Sequence, residues 1–231
     1  MGFAFALATA VAFAATATPA FAVPISQTIQ LNQVYTGSTP DGPAPWLKAT
    51  FTQTGMDTGT LTLTSLLGGS DFLQGLNSAK STIGWAFYLN QSLSGLSCSS
   101  GACATNNALF GGSYNSGPVP GLFNLAFGWS SGSRFDGTDS AIYDLTFASN
   151  LSGNPFGAND SGWWSVAHVQ GIGPNGSCSG WIVSGDGTLG SGSGPCGGTP
   201  PPNVPEPGAL GMFGLGVLLI GGFVGWRRRY S

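Results

Sequence analysis

Trp46-Leu47-Lys48-Ala49-Thr50-Phe51-Thr52-Gln53-Thr54, then Gly55-Met56-Asp57, then Thr58-Gly59-Thr60-Leu61-Thr62-Leu63-Thr64-Ser65-Leu66, is the stretch that decides the fold. In its second arm Leu61 and Leu63 fall on one face, and Thr60, Thr62 and Thr64 on the other. A period of two is the mark of a strand with one buried face, and β-branched threonine suits the solvated side. The first arm alternates in the same way. Gly55-Met56-Asp57 between the arms suits a hairpin loop.

Working outward, residues 26–35, 83–90, 122–129, 141–149, 165–171 and 179–184 are further strand candidates separated by Gly-rich turns. No stretch of the body sustains a 3.6-residue period. Residues 72–80 suit one short helix or an irregular crossing. Many short strands with glycine turns predict an all-β body, a single β-sandwich of jelly-roll or immunoglobulin-like type. Its core would hold Trp46, Phe51, Trp85, Phe87, Phe123, Phe127, Tyr143 and Phe147. No short fixed period marks a β-helix.

The chain has 231 residues, and its two ends read differently from its middle. Residues 1–22 read as a signal peptide: an apolar run, then Pro19 and the small-x-small site Ala20-Phe21-Ala22, with the mature chain starting at Val23. No Lys or Arg precedes the apolar run, where a basic segment is usual. The β-sandwich domain spans 23–184. Residues 185–203 are Gly, Ser, Thr and Pro with few apolar positions, a linker that stiffens near Pro200-Pro201-Pro202. Residues 208–226 carry no charge and precede Arg227-Arg228-Arg229. As a helix this stretch rises roughly 28 Å, close to the hydrocarbon thickness of a bilayer. The arginines then stay cytoplasmic, and the body lies across the membrane from them.

Val204-Pro205-Glu206-Pro207, the apolar span and the terminal arginines together resemble the PEP-CTERM sorting signal of exported bacterial proteins. The resemblance covers residues 204–229 and has its three parts in order. It implies recognition by an exosortase at Pro205, Glu206 and Pro207, cleavage near that box, and transfer from a membrane-anchored precursor to the cell surface or extracellular matrix. It also implies a Gram-negative-type cell that makes exopolysaccharide. A weaker resemblance covers the body. Pro45-Trp46, the threonine hairpin, Arg134-Phe135-Asp136-Gly137, Ala167-His168-Val169-Gln170-Gly171 and Gly180-Trp181-Ile182 are similar to a recurrent body type of PEP-CTERM proteins. It implies one β domain and no mechanism.

Charged residues make up 6% of the chain, against about 25% in ordinary soluble proteins. Between the two terminal signals, Lys48, Lys80 and Arg134 face eight aspartates, a net charge of −5. That balance gives no electrostatic footprint for nucleic acid. The surface is left to Ser, Thr, Asn, Gln and Gly, which suits hydroxyl-rich partners such as polysaccharide. Four cysteines in an exported chain read as two disulfides. Of the three pairings, Cys98–Cys103 with Cys178–Cys196 closes two local Gly/Ser-rich loops. The spacings do not suit zinc.

Candidate sites are few. Trp163 and Trp164 follow the polar loop Asn159-Asp160-Ser161-Gly162, a setting for stacking on sugar rings. Adjacent strand residues face opposite ways, so one of the two is expected in the core. Asp136 and Asp139 offer oxygen ligands in a turn, a candidate calcium site, although a hydrogen-bonded turn needs no metal. Gly128-Trp129-Ser130-Ser131-Gly132, then Asp136, then His168 follow the order of a Ser-His-Asp hydrolase, but no helix is expected after Ser130. The reading with most support is a non-catalytic structural or adhesive surface protein without a cofactor, associated with exopolysaccharide or biofilm. A carbohydrate-binding module, with calcium as an aid, is the alternative, and a hydrolase comes third.

Overall fold

A computed structural model describes residues 24–75, 83–105 and 108–190. The expected signal peptide, the membrane helix 208–226 and the sorting residues lie outside them. Among the described residues no helix is long and apolar enough to cross a membrane.

The described chain is all-β. Its strands are β1 Ser26–Leu31, β2 Gln33–Gly37, β3 Leu47–Gln53, β4 Thr58–Ser65, β5 Phe72–Leu73, β6 Trp85–Phe87, β7 Leu93–Gly101, β8 Leu109–Asn115, β9 Leu122–Phe127, β10 Phe135–Asp136, β11 Ser140–Phe147, β12 Trp163–Ile172 and β13 Cys178–Gly185. They form two antiparallel sheets. The smaller has the order β1-β3-β4-β11-β7. The larger runs β10-β5-β12-β6-β9-β8, with β13 pairing β12 and β2 pairing β13.

The threonine hairpin folds as its pattern dictates. β3 and β4 pair from Leu47↔Ser65 to Gln53↔Gly59. The backbone N–H groups of Thr54 and Gly55 both donate to the Thr58 carbonyl, at 2.9 and 3.2 Å, and close the turn. Leu47, Ala49, Phe51, Leu61 and Leu63 are buried, while Thr50, Thr60, Thr62 and Thr64 are only partly covered on the opposite face. Gly59 is required by its neighbour, because a Cβ there would run into the Phe51 ring.

One core lies between the sheets. Phe51 meets Phe147 edge-on at 5.9 Å within the small sheet, and Phe127 of the large sheet meets Tyr143 of the small one at 4.6 Å. All eight aromatics expected in the core are buried. Phe123 belongs instead to a second cluster with Ala86, Tyr114, Val119, Trp163, Val166 and Val183. Alternate residues of β12 fall in different clusters: Ala167 and Val169 join the main core and Val166 the second.

Two expectations are corrected, and two strands carried no sequence signal. Residues 26–35 are two strands, not one: β1 pairs β3 in the small sheet and β2 pairs β13 in the large one. The chain changes sheet at Asn32, and no Gly or Pro announces it. The crossing or helix suggested for 72–80 begins as strand β5, while 76–80 lie outside the described residues. Strands β7 and β8 went unread, because Leu93–Gly101 and Leu109–Asn115 are rich in Ser and Gly and bury few side chains.

Candidate functional site

Trp163 and Trp164 separate as strand geometry requires. Trp163 is fully buried, with Tyr35 edge-on at 5.8 Å. Trp164 lies at a register shift between Trp163 and Ser165 and is half-buried. There it lines an open cleft of about 430 Å³ with Thr28, Gln30, Asn32, Gln33, Ser184 and Asp186. These side chains are neutral donors and acceptors apart from one carboxylate, around a single indole. Asn159 turns inward: its Oδ1 accepts from the Ser161 and Trp163 N–H groups, both at 3.0 Å, so it braces the loop.

A second concavity, about 370 Å³, is lined by Tyr88, Leu122, Asn124, Asn159 and Asp160 among others. Leu122 is 52% exposed there, beside Phe123 among mostly polar lining residues.

His168 sits on β12 with its ring stacked on Trp181, centroids 4.5 Å apart and planes within 11°. Its Nδ1 is buried without a hydrogen-bond partner, and burial pushes its pKa below the ordinary value. Ser130 takes part in a turn: its N–H donates to Thr105 Oγ1 at 2.8 Å, and its carbonyl accepts from Ser133 N–H at 3.0 Å. No helix follows it, and no hydrogen bond among the described residues joins Ser130, His168 and Asp136.

Asp136 and Asp139 brace one turn. Asp136 N–H donates to Asp139 Oδ2 at 3.0 Å, and Asp139 N–H returns to the Asp136 carbonyl at 2.9 Å. Among the described residues no group of three or more His, Cys, Asp or Glu is placed to hold a metal. Nearby, the Arg134 guanidinium carbon lies 3.8 Å from the centre of the Phe72 ring, a cation–π contact at the edge of the large sheet.

The sequence reading missed Asp41 and Asp71. Asp71 is 1% exposed, and its Oδ2 accepts the Asp41 N–H at 2.6 Å. Burial first, and then the Asp41 charge, raise its pKa to about 6, although the Asp41 N–H works the other way. The signal was thin: one Asp in Pro40-Asp41-Gly42-Pro43, another after Gly68-Gly69-Ser70, thirty residues on.

Cys98 and Cys103 form a disulfide, with Cα atoms 5.9 Å apart. The loop it closes rests on the core through two bonds: Ala104 N–H to Tyr143 Oη at 2.6 Å, and Trp129 Nε1–H to the Ala102 carbonyl at 2.9 Å. Cys178 is not a free thiol. Cys196, with which the sequence pairs it, lies outside the described residues.

Residues 203–229 match the family model of the PEP-CTERM protein-sorting motif. The chain therefore carries the signal of an exported protein made as a membrane-anchored precursor and sorted by an exosortase. No curated protein and no solved structure matches the chain.

Proposed function

We propose that this protein is a non-catalytic structural or adhesive component of the cell surface or extracellular matrix, held among exopolysaccharide. The PEP-CTERM motif carries the reading, since it implies delivery beyond the inner membrane. The body suits that destination. It is a β-sandwich with the Cys98–Cys103 disulfide among its described residues, few charges and a threonine-rich outer face on β3 and β4. Hydroxyl-bearing side chains exchange water for sugar hydroxyls at little cost, whereas a strongly charged face would have to be desolvated.

The test is genetic and biochemical together. Replacing Pro205, Glu206 and Pro207 by alanine, or deleting the exosortase, should hold the full-length precursor in the inner membrane and empty the matrix fraction. Delivery that continues unchanged in both strains would defeat the proposal.

The Trp164 cleft favours a second reading, a carbohydrate-binding module. An indole flanked by Gln30, Asn32, Gln33 and Ser184 offers stacking and hydrogen bonds to one sugar unit. Trp164→Ala should then lower affinity for the cell's own exopolysaccharide at least tenfold in a co-sedimentation assay. Equal binding by the variant would leave the structural reading alone in place.

A further inference from the structure

Loops 38–45 and 66–71 both carry the chain between sheets, the first from β2 to β3 and the second from β4 to β5. They meet at one rim. Gly68 N–H donates to the Asp41 carbonyl at 3.2 Å, Asp71 N–H to the Gly68 carbonyl at 3.1 Å, and Asp41 N–H to Asp71 Oδ2. The Asp41 carboxylate folds over Gly69, whose φ of +58° and missing side chain make room for it: a Cβ there would strike Asp41 Oδ2. Asp71 Oδ1 is buried with no hydrogen-bond donor at all. Neither carboxylate forms an ion pair with a described residue.

We infer that Asp41 and Asp71 are the carboxylate ligands of a calcium site that clips these two crossover loops together. A carboxylate oxygen buried without a donor is costly, and a second carboxylate beside it adds to the cost. A cation relieves both. The donors are all oxygen, which selects a hard ion over zinc. Irregular loops, one of them carrying the pair Gly68-Gly69, suit the adaptable shell of calcium better than the strict octahedron of magnesium. Two carboxylates leave the remaining positions to backbone carbonyls and water, so the affinity belongs to the weak extracellular class, about 10⁻⁴ to 10⁻³ M. The Asp136–Asp139 turn makes a poorer site, because Asp139 Oδ2 already accepts an N–H and Asp136 is exposed to water.

The experiment uses the full chain in detergent, stripped with EDTA and titrated with calcium chloride alone. Calcium at 10 mM should raise the unfolding temperature by about 3–11 °C, the shift expected across that range of affinity. Asp71→Asn should abolish the shift, and Asp139→Asn should leave it intact. Asp41 is exposed, so Asp41→Asn serves as a variant that keeps the fold even if Asp71→Asn does not. Terbium adds a positional readout. Trp46 donates to the Gly42 carbonyl at 3.1 Å, next to Asp41, and should sensitise bound terbium. Trp46→Phe should then lose most of the emission. No calcium shift in the native chain, a shift that survives Asp41→Asn, or emission that survives Trp46→Phe would each overturn the site.

Discussion

Ala167 and Val169 point into the core and His168 points away from it, onto the face of Trp181. That stack gives the single histidine a packing role, and burial lowers its pKa, which favours the neutral ring near pH 7. The sign of the pH effect follows. The unfolded chain takes up the proton near pH 6.5, and the folded chain only at lower pH. Between those values the unfolded state holds more protons, so His168 makes the fold lose stability as pH falls below about 6.5. Asp71 runs the other way, since its raised pKa lets the folded state take the proton first. The comparison with a variant therefore isolates the histidine. His168→Phe should lose less stability than the native chain between pH 7.5 and pH 5, read as urea midpoints. Equal losses would mean that the histidine is not desolvated. Phe51 offers a second test at this scale. It is 1% exposed and packs on both Phe147 and Phe156, so Phe51→Ala should cost about 3–5 kcal/mol in the same assay.

At the scale of elements, legibility followed side-chain contrast. β3, β4 and β11 alternate apolar and polar residues, because one face meets the core and the other water, and each was readable within a residue or two. β7 was not. Seven of its nine residues are Ser, Gly or Cys, it lies at the edge of its sheet, and only Leu93 is buried. Its pairing with β11 comes from backbone hydrogen bonds, which leave no pattern in the sequence. β5 and β10 are two residues each, too short to carry any period. The sites divide in the same way. The Cys98–Cys103 staple and the split between Trp163 and Trp164 follow from local spacing and strand parity, while the Asp41–Asp71 contact depends on how two distant crossovers meet. The staple itself is testable. Removing it by Cys98→Ser with Cys103→Ser frees a short loop, for which chain entropy gives about 2 kcal/mol of lost stability. Because that loop rests on Tyr143 and Trp129, the two core bonds should persist, and near-UV circular dichroism should stay native-like. A collapsed near-UV signal would mean that the disulfide also holds the core in register.

The whole molecule joins a β body to a sorting signal, and each explains a feature of the other. A body destined for export tolerates a disulfide and does without the charge that most soluble domains carry. The motif at residues 203–229 in turn implies an export route in which such a body is delivered from a membrane-anchored precursor. We propose that this chain, exported as a membrane-anchored precursor, is then cut near the sorting motif and released to the outside as a folded β domain. The intact mass of the protein recovered from the cell surface and medium tests it most directly. The expected species begins at Val23, ends near Pro205-Glu206-Pro207, and is lighter by two hydrogens for each disulfide. A recovered species that still carries Arg227, Arg228 and Arg229 would contradict it, and would make the chain a permanently anchored membrane protein.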